Sequence, residues 1–249
     1  MKVVIITGGG SGIGAATAQK LLARGDCVLI AGRDGAKLNA LASAHTASPG
    51  DISCCPADVS KPEDAMRIIN SALQWKGRID AVINGAGVAP MLPTCDLTPE
   101  QWREIIDTNL SSVFYMTRAV WPVFKKQFAA LKESGKPPEE TGVIINISSQ
   151  AARDPFTGLG AYGAAKAGVN LLTQATAREG REIGVRVIAI APGAVDTPMF
   201  RSLPIASNVP ARDILDSTSV AEAIVSAIDG GLRYASGETI YIHRSCFGE

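Results

Sequence analysis

The feature that most constrains how this 249-residue chain folds is a glycine-rich turn close to its N-terminus. A short β-branched run, residues 3–6, leads into the turn at residues 7–14, and a helix-forming segment, residues 15–24, follows directly. Glycines let the backbone turn tightly and approach an anion, while free N–H groups and the positive end of the helix face that anion. A glycine cluster alone often marks an ordinary turn. Because this one joins a first strand to a first helix, it predicts a site for nucleotide phosphates.

Short apolar strands and amphipathic helices alternate along the rest of the chain. We expect strands near residues 2–7, 27–31, 53–56, 80–84, 142–148, 185–191 and 238–242. This alternation requires parallel strands whose helical crossovers cover both faces of the sheet. The sequence therefore predicts an α/β fold of the doubly wound Rossmann type, with a mainly parallel seven-stranded sheet, in a single domain that spans residues 1–249.

Composition limits the class of protein. With 46% hydrophobic residues and 24 basic against 24 acidic side chains, the chain can bury a large core and has no formal net charge. A nucleic-acid partner would favour a basic face, so that class of partner is not expected. No apolar run approaches the ~20 residues that span a bilayer, and Met1 and Lys2 lead directly into a strand rather than a signal sequence. We therefore expect a cytoplasmic protein that does not act at a membrane.

Cysteine and histidine usage argues against a disulfide framework and against a metal site. The cysteines are odd in number and lack Cys-x-x-Cys spacing. They are Cys27, Cys54, Cys55, Cys95 and Cys246. Cys54 and Cys55, if they lie on a strand, point to opposite faces, and buried structural thiols are the expected outcome. His45 and His243 fit no metal-binding pattern, so no metal ligands are predicted.

Tyr162 and Lys166 stand four residues apart in an alanine-rich stretch that the sequence pattern predicts to be helical. One helical turn stacks them on the same face, so a phenol lies beside a cation. A nearby ammonium favours the phenolate, and we therefore expect the pKa of Tyr162 to be lowered towards a value useful for acid–base chemistry. Tyrosine and lysine at this spacing also occur simply as a packed aromatic beside a solvated lysine, so the pair indicates function only together with companion motifs.

These companions form an ordered set that resembles the short-chain dehydrogenase/reductase family, in its single-domain form of about this length. The matching pieces are Thr7-Gly8-x3-Gly12-Ile13-Gly14, Asp58-Val59, Asn84-Gly85-Ala86-Gly87, Asn109, Ile147-Ser148-Ser149, Tyr162-x3-Lys166, and Pro192-Gly193 with Thr197. They occur in family order and span nearly the whole chain. The resemblance implies an NAD(P)-dependent oxidoreductase that interconverts a carbonyl and a secondary alcohol by hydride transfer, with tyrosine as general acid or base.

The resemblance implies four catalytic residues, Asn109, Ser149, Tyr162 and Lys166. Ser149 precedes Tyr162 by the family separation and would hydrogen-bond the substrate oxygen as charge develops on it. Ser148 points the other way on a strand and is expected to be structural. Tyr162 would supply the proton, while Lys166 would bind the nicotinamide ribose and stabilise the phenolate. Asn109 would hold a water that links Lys166 to solvent, although an asparagine inside a helix is more often a bend or an exposed position.

The resemblance also implies a set of dinucleotide contacts along the carboxyl ends of the strands. The glycine turn would hold the phosphates, and Asp58 with Val59 would contact the adenine. Thr197 would bind the nicotinamide carboxamide, while Pro192 and Val195 would frame its ring. The full set of expected cofactor contacts comprises Gly8, Ser11, Gly12, Ile13, Gly14, Arg33, Asp58, Val59, Asn84, Ala86, Gly87, Tyr162, Lys166, Pro192, Val195 and Thr197.

The end of the second strand bears on the choice between NADP and NAD. NAD-dependent relatives usually place an acidic residue there to hold the ribose hydroxyls, whereas this chain has Gly32 followed by Arg33. The guanidinium of Arg33 can pair with a 2′-phosphate or stack on adenine, which favours NADP. Two observations keep NAD open. Asp34 can reach the ribose instead, and Ser11 stands where some NADP-dependent relatives carry a basic residue.

The substrate pocket is expected to be largely apolar. Its walls should come from residues 88–93, 150–156 and 199–204, which are mostly apolar but include Arg153 and Asp154. Such a pocket suits a carbonyl or secondary alcohol on a modest hydrophobic frame.

Three other regions carry expectations. The segment between Thr197 and the helix expected at Ser219 is short where the family often has a helical lid, which predicts a relatively open site. Residues 132–140 are charged and contain prolines, which predicts a solvated loop, with an interaction role as the alternative. The family commonly forms tetramers, so a homo-oligomer, tetramer or dimer, is expected. The apolar helix at residues 110–128 packs either against a partner subunit or on its own sheet.

The preferred function is NADP-linked oxidation or reduction of a small ketone or secondary alcohol, and two other functions stay open. The first is reduction of 3-oxoacyl thioesters in fatty-acid-type synthesis, although residues 238–245 lack the Val-x-Gly-Gly ending common in those reductases. The second is dinucleotide sensing without turnover. Ser149, Tyr162 and Lys166 argue against it, because a sensor needs no proton donor beside the nicotinamide.

Overall fold

The computed structural model describes residues 1–135 and 140–244, which form a seven-stranded parallel sheet covered by helices. The strands are β1 Val3–Thr7, β2 Cys27–Gly32, β3 Ile52–Pro56, β4 Ala81–Asn84, β5 Gly142–Ile147, β6 Val185–Pro192 and β7 Thr239–Ile242. They lie in the order β3-β2-β1-β4-β5-β6-β7, and every adjacent pair is parallel. The predicted fold class is confirmed, and each predicted strand is present with ends that differ by one residue at most.

Helices connect the strands. They are α1 Gly12–Ala23, α2 Gly35–Ala44, α3 Pro62–Lys76, α4 Pro99–Ile106, α5 Ser112–Glu133, α6 Gly160–Gly180, α7 Pro198–Arg201 and α8 Ser217–Ile228. Local sequence signals explain several of their ends. A capping box between Thr98 and Gln101 starts α4, the side chain of Asp216 caps α8, and Gly77 ends α3 in the left-handed conformation. A π-helical segment, Asp107–Ser111, joins α4 to α5.

Both faces of the sheet are buried, which explains why its strands read as continuous apolar runs. Every residue of β1, β5 and β6 is buried. One face packs against α1 and α8, with Leu21, Leu22 and Ile224 among the contacts. The opposite face packs against α3 and α5, where Ile68 and Phe124 are fully buried. Each such side chain contributes about 1.5–3 kcal/mol through burial, so the sheet is held from both sides.

The winding of the sheet reverses at β1, which lies between β2 and β4. Thr7 at the end of β1 ties the two halves together. Its hydroxyl oxygen accepts hydrogen bonds from the backbone N–H groups of Gly85 at 3.1 Å and Ala86 at 3.3 Å, in the loop after β4. Ligands of doubly wound sheets bind in the crevice outside such a reversal, so the fold places the glycine turn at the expected binding edge.

The cysteines agree with the predictions in part. Cys54 packs in the core on one face of the sheet and Cys55 in the core on the other, which confirms that they point in opposite directions. Cys27 and Cys55 are buried and all four described cysteines are free thiols. Cys54 is only half-buried and Cys95 is exposed, so the expectation of buried thiols is met in part at Cys54 and is wrong at Cys95. Cys246 lies outside the described residues.

The end of α5 and the length of the helices bear on two predictions. Part of the predicted loop at residues 132–140 belongs to α5, which continues to Glu133, and residues 136–139 lie outside the described part of the chain. Among the helices that the structure describes, none has both the length and the apolar character needed to cross a bilayer.

We predict that Gly142→Ala destabilises the fold. A Cβ at this first position of β5 would lie 2.2 Å from Cε1 of Phe124, whose ring is fully buried and has no room to withdraw. The expected loss in the free energy of unfolding is about 1–3 kcal/mol. Gly35→Ala is the matched control, because its Cβ would come no closer than 3.4 Å to Pro56. Denaturant unfolding of both variants tests the packing, and equal midpoints would contradict it.

Candidate active site

A cleft of about 290 Å³ opens at the carboxyl ends of the strands. It extends from the glycine turn, past the loops after β4 and β5, to the start of α6 and the loop after β6. The catalytic candidates Ser149, Tyr162 and Lys166 line it. The predicted cofactor contacts that line it are Gly8, Ser11, Gly12, Ile13, Gly14, Ala86, Gly87, Tyr162, Lys166, Pro192, Val195 and Thr197. The structure thus brings most of the predicted site residues to one cavity.

The glycine turn is shaped for a close approach between backbone and anion. A Cβ at Gly14 would lie 2.3 Å from the carbonyl oxygen of Gly8, so the start of α1 folds against the turn only with glycine at this position. The first turn of α1 carries no acidic side chain. Its leading N–H groups have no partner within the helix and point towards the cleft end of the molecule. This cradle fits the phosphates of a dinucleotide.

Ser149 and Tyr162 both line the cleft, and Ser149 lies close enough to the phenol to lower the pKa of Tyr162. Ser149 follows β5 and caps the 3₁₀ turn Gln150–Ala152, where its Oγ accepts a bond from the Ala151 N–H at 3.2 Å. Tyr162 lies in the first turn of α6, which packs directly on that 3₁₀ turn. A Cβ at Gly163 would lie only 2.6 Å from the carbonyl oxygen of Ala151. This close packing fixes the two hydroxyls relative to each other.

Ser148 has a different environment. It is 1% exposed, and its Oγ donates a hydrogen bond to the carbonyl oxygen of Lys166 at 3.3 Å. Its backbone N–H donates to the carbonyl oxygen of Ile190 at 2.7 Å. Both serines border the cleft, but Ser149 is the one whose hydroxyl influences the pKa of Tyr162. The contacts of Ser148 are those of a side chain that holds α6 to the end of β5.

Lys166 is 4% exposed, and its Nζ donates a hydrogen bond to the carbonyl oxygen of Ile147 at 2.7 Å. The same Nζ lies 5.6 Å from the centre of the Tyr162 ring. Burial lowers the pKa of Lys166 to about 8, because withdrawal from water disfavours the ammonium. The side chain therefore still carries its proton at neutral pH.

The pKa of Tyr162 shifts in the direction opposite to the predicted one. Burial raises it, and the nearby Ser149 hydroxyl, which favours the phenolate, offsets only part of this rise. The prediction that Lys166 lowers the pKa of Tyr162 is therefore wrong for this structure. The ammonium of Lys166 bonds the carbonyl of Ile147 rather than the phenol, so desolvation determines the shift.

Asn109 lies in the π-helical segment between α4 and α5 and is fully buried. Its Nδ2 donates to the carbonyl oxygens of Val88 at 2.8 Å and Ile105 at 2.9 Å, and its Oδ1 accepts from the Val88 N–H at 3.2 Å. The bend in the helix therefore aims the amide at the loop after β4. Asn109 does not line the cleft itself, and its predicted role in holding a water stays a prediction.

Asn84 is a predicted cofactor contact that the structure does not bring to the cleft. It is 3% exposed, and its Nδ2 donates to Oδ1 of Asn146 at 2.8 Å. Asn146 in turn donates to Oγ1 of Thr173, which donates to the carbonyl oxygen of Val169, both at 2.8 Å. This chain of hydrogen bonds ties β4 to β5 and α6. The cleft is lined instead by Gly85 and the residues after it.

The loop after β6 closes onto the glycine turn. Val195 is buried and forms an isolated β-bridge with Leu215. Thr197 caps α7, where its Oγ1 accepts a hydrogen bond from the Phe200 N–H at 3.1 Å. A Cβ at Gly12 would lie 2.9 Å from Cγ2 of Thr197, so the methyl group of Thr197 already fills the space beside the turn. The predicted nicotinamide contacts and the predicted phosphate contacts therefore lie side by side.

A second cavity of about 190 Å³ continues from the glycine turn over the ends of β2 and β3. The predicted contacts Arg33, Asp58 and Val59 line it, as does Gly32. The carboxylate of Asp58 accepts hydrogen bonds from the N–H and the hydroxyl of Ser60, at 3.1 and 2.7 Å. These contacts hold the loop after β3 in place at the rim of the cavity.

Lys37 also lines this second cavity, and the sequence analysis missed it. Asp34 caps α2 by accepting a hydrogen bond from the Lys37 N–H at 3.1 Å, and its carboxylate lies 3.4 Å from the Nζ of Lys37. The Lys37 N–H, followed by the Lys37 ammonium, holds the pKa of Asp34 below its ordinary value. The signal that predicts this arrangement is an N-cap aspartate with a lysine three positions later, directly after Arg33.

The outer part of the cleft is formed by all three predicted wall segments. Its lining residues from these segments are Ala89, Gln150, Ala151, Asp154, Phe156, Met199, Phe200 and Leu203. Leu159, which the sequence analysis did not single out, completes the wall just before α6. Arg153 does not line the cleft, because its guanidinium lies over the ring of Tyr241, 3.9 Å from the ring centre. Within residues 1–135 and 140–244, no group of three or more His, Cys, Asp or Glu side chains has the geometry to hold a metal ion.

Comparisons with known proteins agree with the geometry. The model of a family described as short chain dehydrogenase matches residues 2–207. An uncharacterised oxidoreductase of Staphylococcus epidermidis is 31% identical over 227 residues, which cover 91% of this chain and 90% of that protein. An uncharacterised oxidoreductase of Staphylococcus aureus is 33% identical over the same length and shares of both chains.

Two solved structures are similar over nearly the whole chain. The crystal structure of 3-ketoacyl-(acyl-carrier-protein) reductase from Brucella melitensis complexed with NADH has a TM-score of 0.86 at 30% identity, and the match covers 97% of this chain and 96% of that one. The crystal structure of levodione reductase has a TM-score of 0.86 at 26% identity, with the same coverage.

The lowered pKa of Lys166 predicts a pH-dependent stability. Below pH 8 the ammonium is charged in the folded and unfolded chains, whereas between about 8 and 10.5 the folded protein has lost a proton that the unfolded chain still holds. Stability therefore rises with pH across this window. Relative to Lys166→Met, we expect the wild-type protein to gain about 3 kcal/mol from pH 7 to pH 10.5. Denaturant unfolding at steps across the window measures this gain, and a constant difference between the proteins would contradict it.

Proposed function

Because this chain belongs to the short-chain dehydrogenase family of oxidoreductases, we propose that it interconverts a carbonyl compound and a secondary alcohol by hydride transfer with a nicotinamide dinucleotide. The observation that carries this proposal is that Ser149, Tyr162 and Lys166 converge on one cleft, which begins at the glycine turn. Two hydroxyls that meet beside an anion-binding turn suit proton transfer to and from a substrate oxygen.

Tyr162 is the proposed general acid. The phenol is protonated at neutral pH, and burial raises its pKa further, so it can hydrogen-bond a carbonyl oxygen and pass its proton to that oxygen as negative charge develops there. A bound dinucleotide supplies the hydride to the carbonyl carbon in reduction and accepts it in oxidation. In the oxidative direction Tyr162 takes the proton of the alcohol, which requires that the phenol has first released its own proton.

Ser149 and Lys166 support this proton transfer. The Ser149 hydroxyl donates a hydrogen bond to the substrate oxygen and stabilises its developing charge. Lys166 is charged below pH 8, and its ammonium has three N–H donors, of which the bond to the Ile147 carbonyl takes one, so donors remain to bind the ribose next to the nicotinamide. Asn109 acts as a positioning residue, because its amide holds the backbone of Val88 beside the wall of the cleft.

NADP is the proposed cofactor. Arg33 and Lys37 are exposed cations that line the second cavity, where a 2′-phosphate would lie if the glycine turn holds the pyrophosphate. Asp34, the residue that would favour NAD, has its carboxylate engaged by the first turn of α2 and by Lys37. The ion pairs of the described residues do not include Arg33, whereas Lys37 is paired with Asp34, so Arg33 is the cation that most favours a phosphate over ribose hydroxyls. The Brucella melitensis structure contains NADH, so the cofactor has to be tested directly.

The proposed substrate is a small ketone or secondary alcohol on a hydrophobic frame, which fits the apolar outer cleft around Phe156, Leu159 and Phe200. Reduction of 3-oxoacyl thioesters is the second candidate, and the similarity to the Brucella melitensis reductase favours it. Comparing kcat/KM for a short 3-oxoacyl thioester with that for a small ketone separates the two. A tenfold preference for the thioester would select the second candidate.

We further propose that the protein acts in the cytoplasm as a homo-oligomer, a dimer or tetramer. One side of α5 packs on its own sheet through Met116, Val120 and Phe124. On α4 and α5, Trp102 and Phe114 are 43% and 48% exposed, and large exposed apolar side chains on neighbouring helices favour an interface. One side of this helical region thus packs on its own sheet, and its exposed apolar side chains support packing against a partner subunit as well.

Removal of the phenolic hydroxyl tests the proposed function. We expect Tyr162→Phe to lower kcat by about 100-fold or more in a ketone-dependent assay of dinucleotide oxidation, because the proton donor is lost. Dinucleotide affinity, measured by fluorescence, should stay within a few-fold of wild type. Tyr234→Phe is the matched control, since Tyr234 is 95% exposed and lies outside the cleft. Unchanged turnover in the Tyr162 variant would remove Tyr162 from the mechanism.

Cofactor choice is tested by removing the cations of the second cavity. We expect Arg33→Ala and Lys37→Ala each to raise the Kd for NADPH about tenfold, a loss of roughly 1.4 kcal/mol, and to change the Kd for NADH less than twofold. Lys126→Ala, which removes an exposed cation outside both cavities, should change neither value. Equal losses for the two dinucleotides would overturn the assignment of NADP.

A further inference from the structure

The outer cleft contains one unneutralised charge, the carboxylate of Asp154. The side chains around it are apolar and include Phe156, Leu159, Met199, Phe200 and Leu203. Within the described residues, the charged side chains that line the cleft are Asp154 and Lys166, and Lys166 donates its hydrogen bond to Ile147 deep in the site. Asp154 is exposed, so water screens its charge in the open cleft, and the carboxylate acts more strongly on a bound ligand that displaces this water from the apolar wall.

Arg153, the neighbour of Asp154, does not neutralise this carboxylate. Its Nη2 donates to Oε1 of Gln150 at 3.1 Å, and its guanidinium is stacked on the ring of Tyr241 in β7. The ion pairs in the described part of the chain do not include Asp154. The backbone N–H of Asp154 donates a hydrogen bond to the carbonyl oxygen of Gln150. This bond does not involve the carboxylate, which can therefore contact a ligand.

The position of Asp154 is fixed relative to the proposed catalytic hydroxyls. The turn that carries it is held by hydrogen bonds from the Ala152 N–H to Ser149 and from the Arg153 and Asp154 N–H groups to Gln150, each between 3.0 and 3.1 Å. The same turn packs against the start of α6, which carries Tyr162. The Asp154 backbone therefore keeps a constant place relative to Ser149 and Tyr162, in the same cleft that would hold the rest of the substrate.

From this arrangement we infer that the substrate carries a basic nitrogen on the part remote from its reacting carbonyl or alcohol. The inference rests on the proposed function. A carboxylate attracts an ammonium through a charge-assisted hydrogen bond, and the half-exposed ring of Phe156 beside it offers a face for cation–π contact. Substrates with a carboxylate or phosphate at that end would be repelled. Asp154 is thus a specificity-determining residue for amino ketones and amino alcohols.

Three isosteric ketones test this inference with NADPH present. They are para-(dimethylaminomethyl)acetophenone, which is a cation at neutral pH, neutral para-isobutylacetophenone, and anionic para-acetylphenylacetate. We expect kcat/KM to be at least tenfold higher for the cation than for the neutral compound, and lower still for the anion. Added salt should reduce the advantage of the cation.

Variants assign the preference to a residue. Asp154→Asn should lower kcat/KM for the cationic ketone at least tenfold and leave the neutral ketone within twofold. Asp154→Lys should invert the preference towards the anion. Glu179→Gln is the control for net charge, because Glu179 is exposed on the same helix as Tyr162 but outside the cleft. A cation-to-neutral ratio that is the same in wild type and Asp154→Asn would overturn the inference.

Calorimetric binding of the same compounds to the NADPH complex separates this inference from the proposed function. Wild-type protein that turns over no ketone but binds the cation more tightly than the neutral compound, in a manner lost in Asp154→Asn, would refute the proposed function and retain the charge selection. Turnover of the ketones with no preference for the cation would support the proposed function and refute the charge selection. Equal binding of cation and neutral compound, or no binding of the cation, would overturn the inference in either case.

Discussion

The cleft depends on the contact between two halves of the sheet at the end of β1. There the hydroxyl of Thr7 accepts hydrogen bonds from two consecutive N–H groups of the loop after β4, those of Gly85 and Ala86. The glycine turn can fold against this loop because position 8 has no side chain, since a Cβ there would lie 2.8 Å from the carbonyl oxygen of Gly85. One buried threonine thus sets the distance between the phosphate cradle and the opposite wall. The rest of the site is arranged around that distance.

The acid–base machinery depends on a second packing contact, between α6 and the turn after β5. Glycine at position 163 lets α6 approach the carbonyl of Ala151 closely, and this approach places Tyr162 beside Ser149. The same approach buries Lys166, whose pKa falls as a result. Close packing therefore positions the two hydroxyls and also determines the electrostatics around them. The proposed chemistry and the stability of the fold are linked through this one interface.

The sequence contained enough information to predict the sheet, because strands buried on both faces are short continuous apolar runs with turn residues at their ends. Most of the site residues that the family resemblance implies line one of the two cavities, because the carboxyl ends of parallel strands share one edge, but Asn84 and Asn109 are buried behind it. The sequence did not predict the direction of the pKa shift at Tyr162. Helical spacing places Lys166 on the correct face, but desolvation depends on elements distant in sequence, including the Ile147 carbonyl that holds the ammonium. Lys37 was missed because its pairing with Asp34 becomes informative only once both border a cavity.

The chain of hydrogen bonds from Asn84 through Asn146 to Thr173 limits which substitutions the protein interior can accept during evolution. Each side chain donates a hydrogen bond to the next. Replacing one of them with a hydrocarbon side chain therefore leaves a buried polar group of its neighbour without a partner. Simultaneous replacement of all three residues avoids that penalty. Replacement one residue at a time passes through variants that are less stable than both the original protein and the triple variant. Substitution of any one of these three residues is therefore hindered by the other two. This links the pairing of β4 with β5 to the helix that carries Tyr162, although none of the three residues lines the cleft.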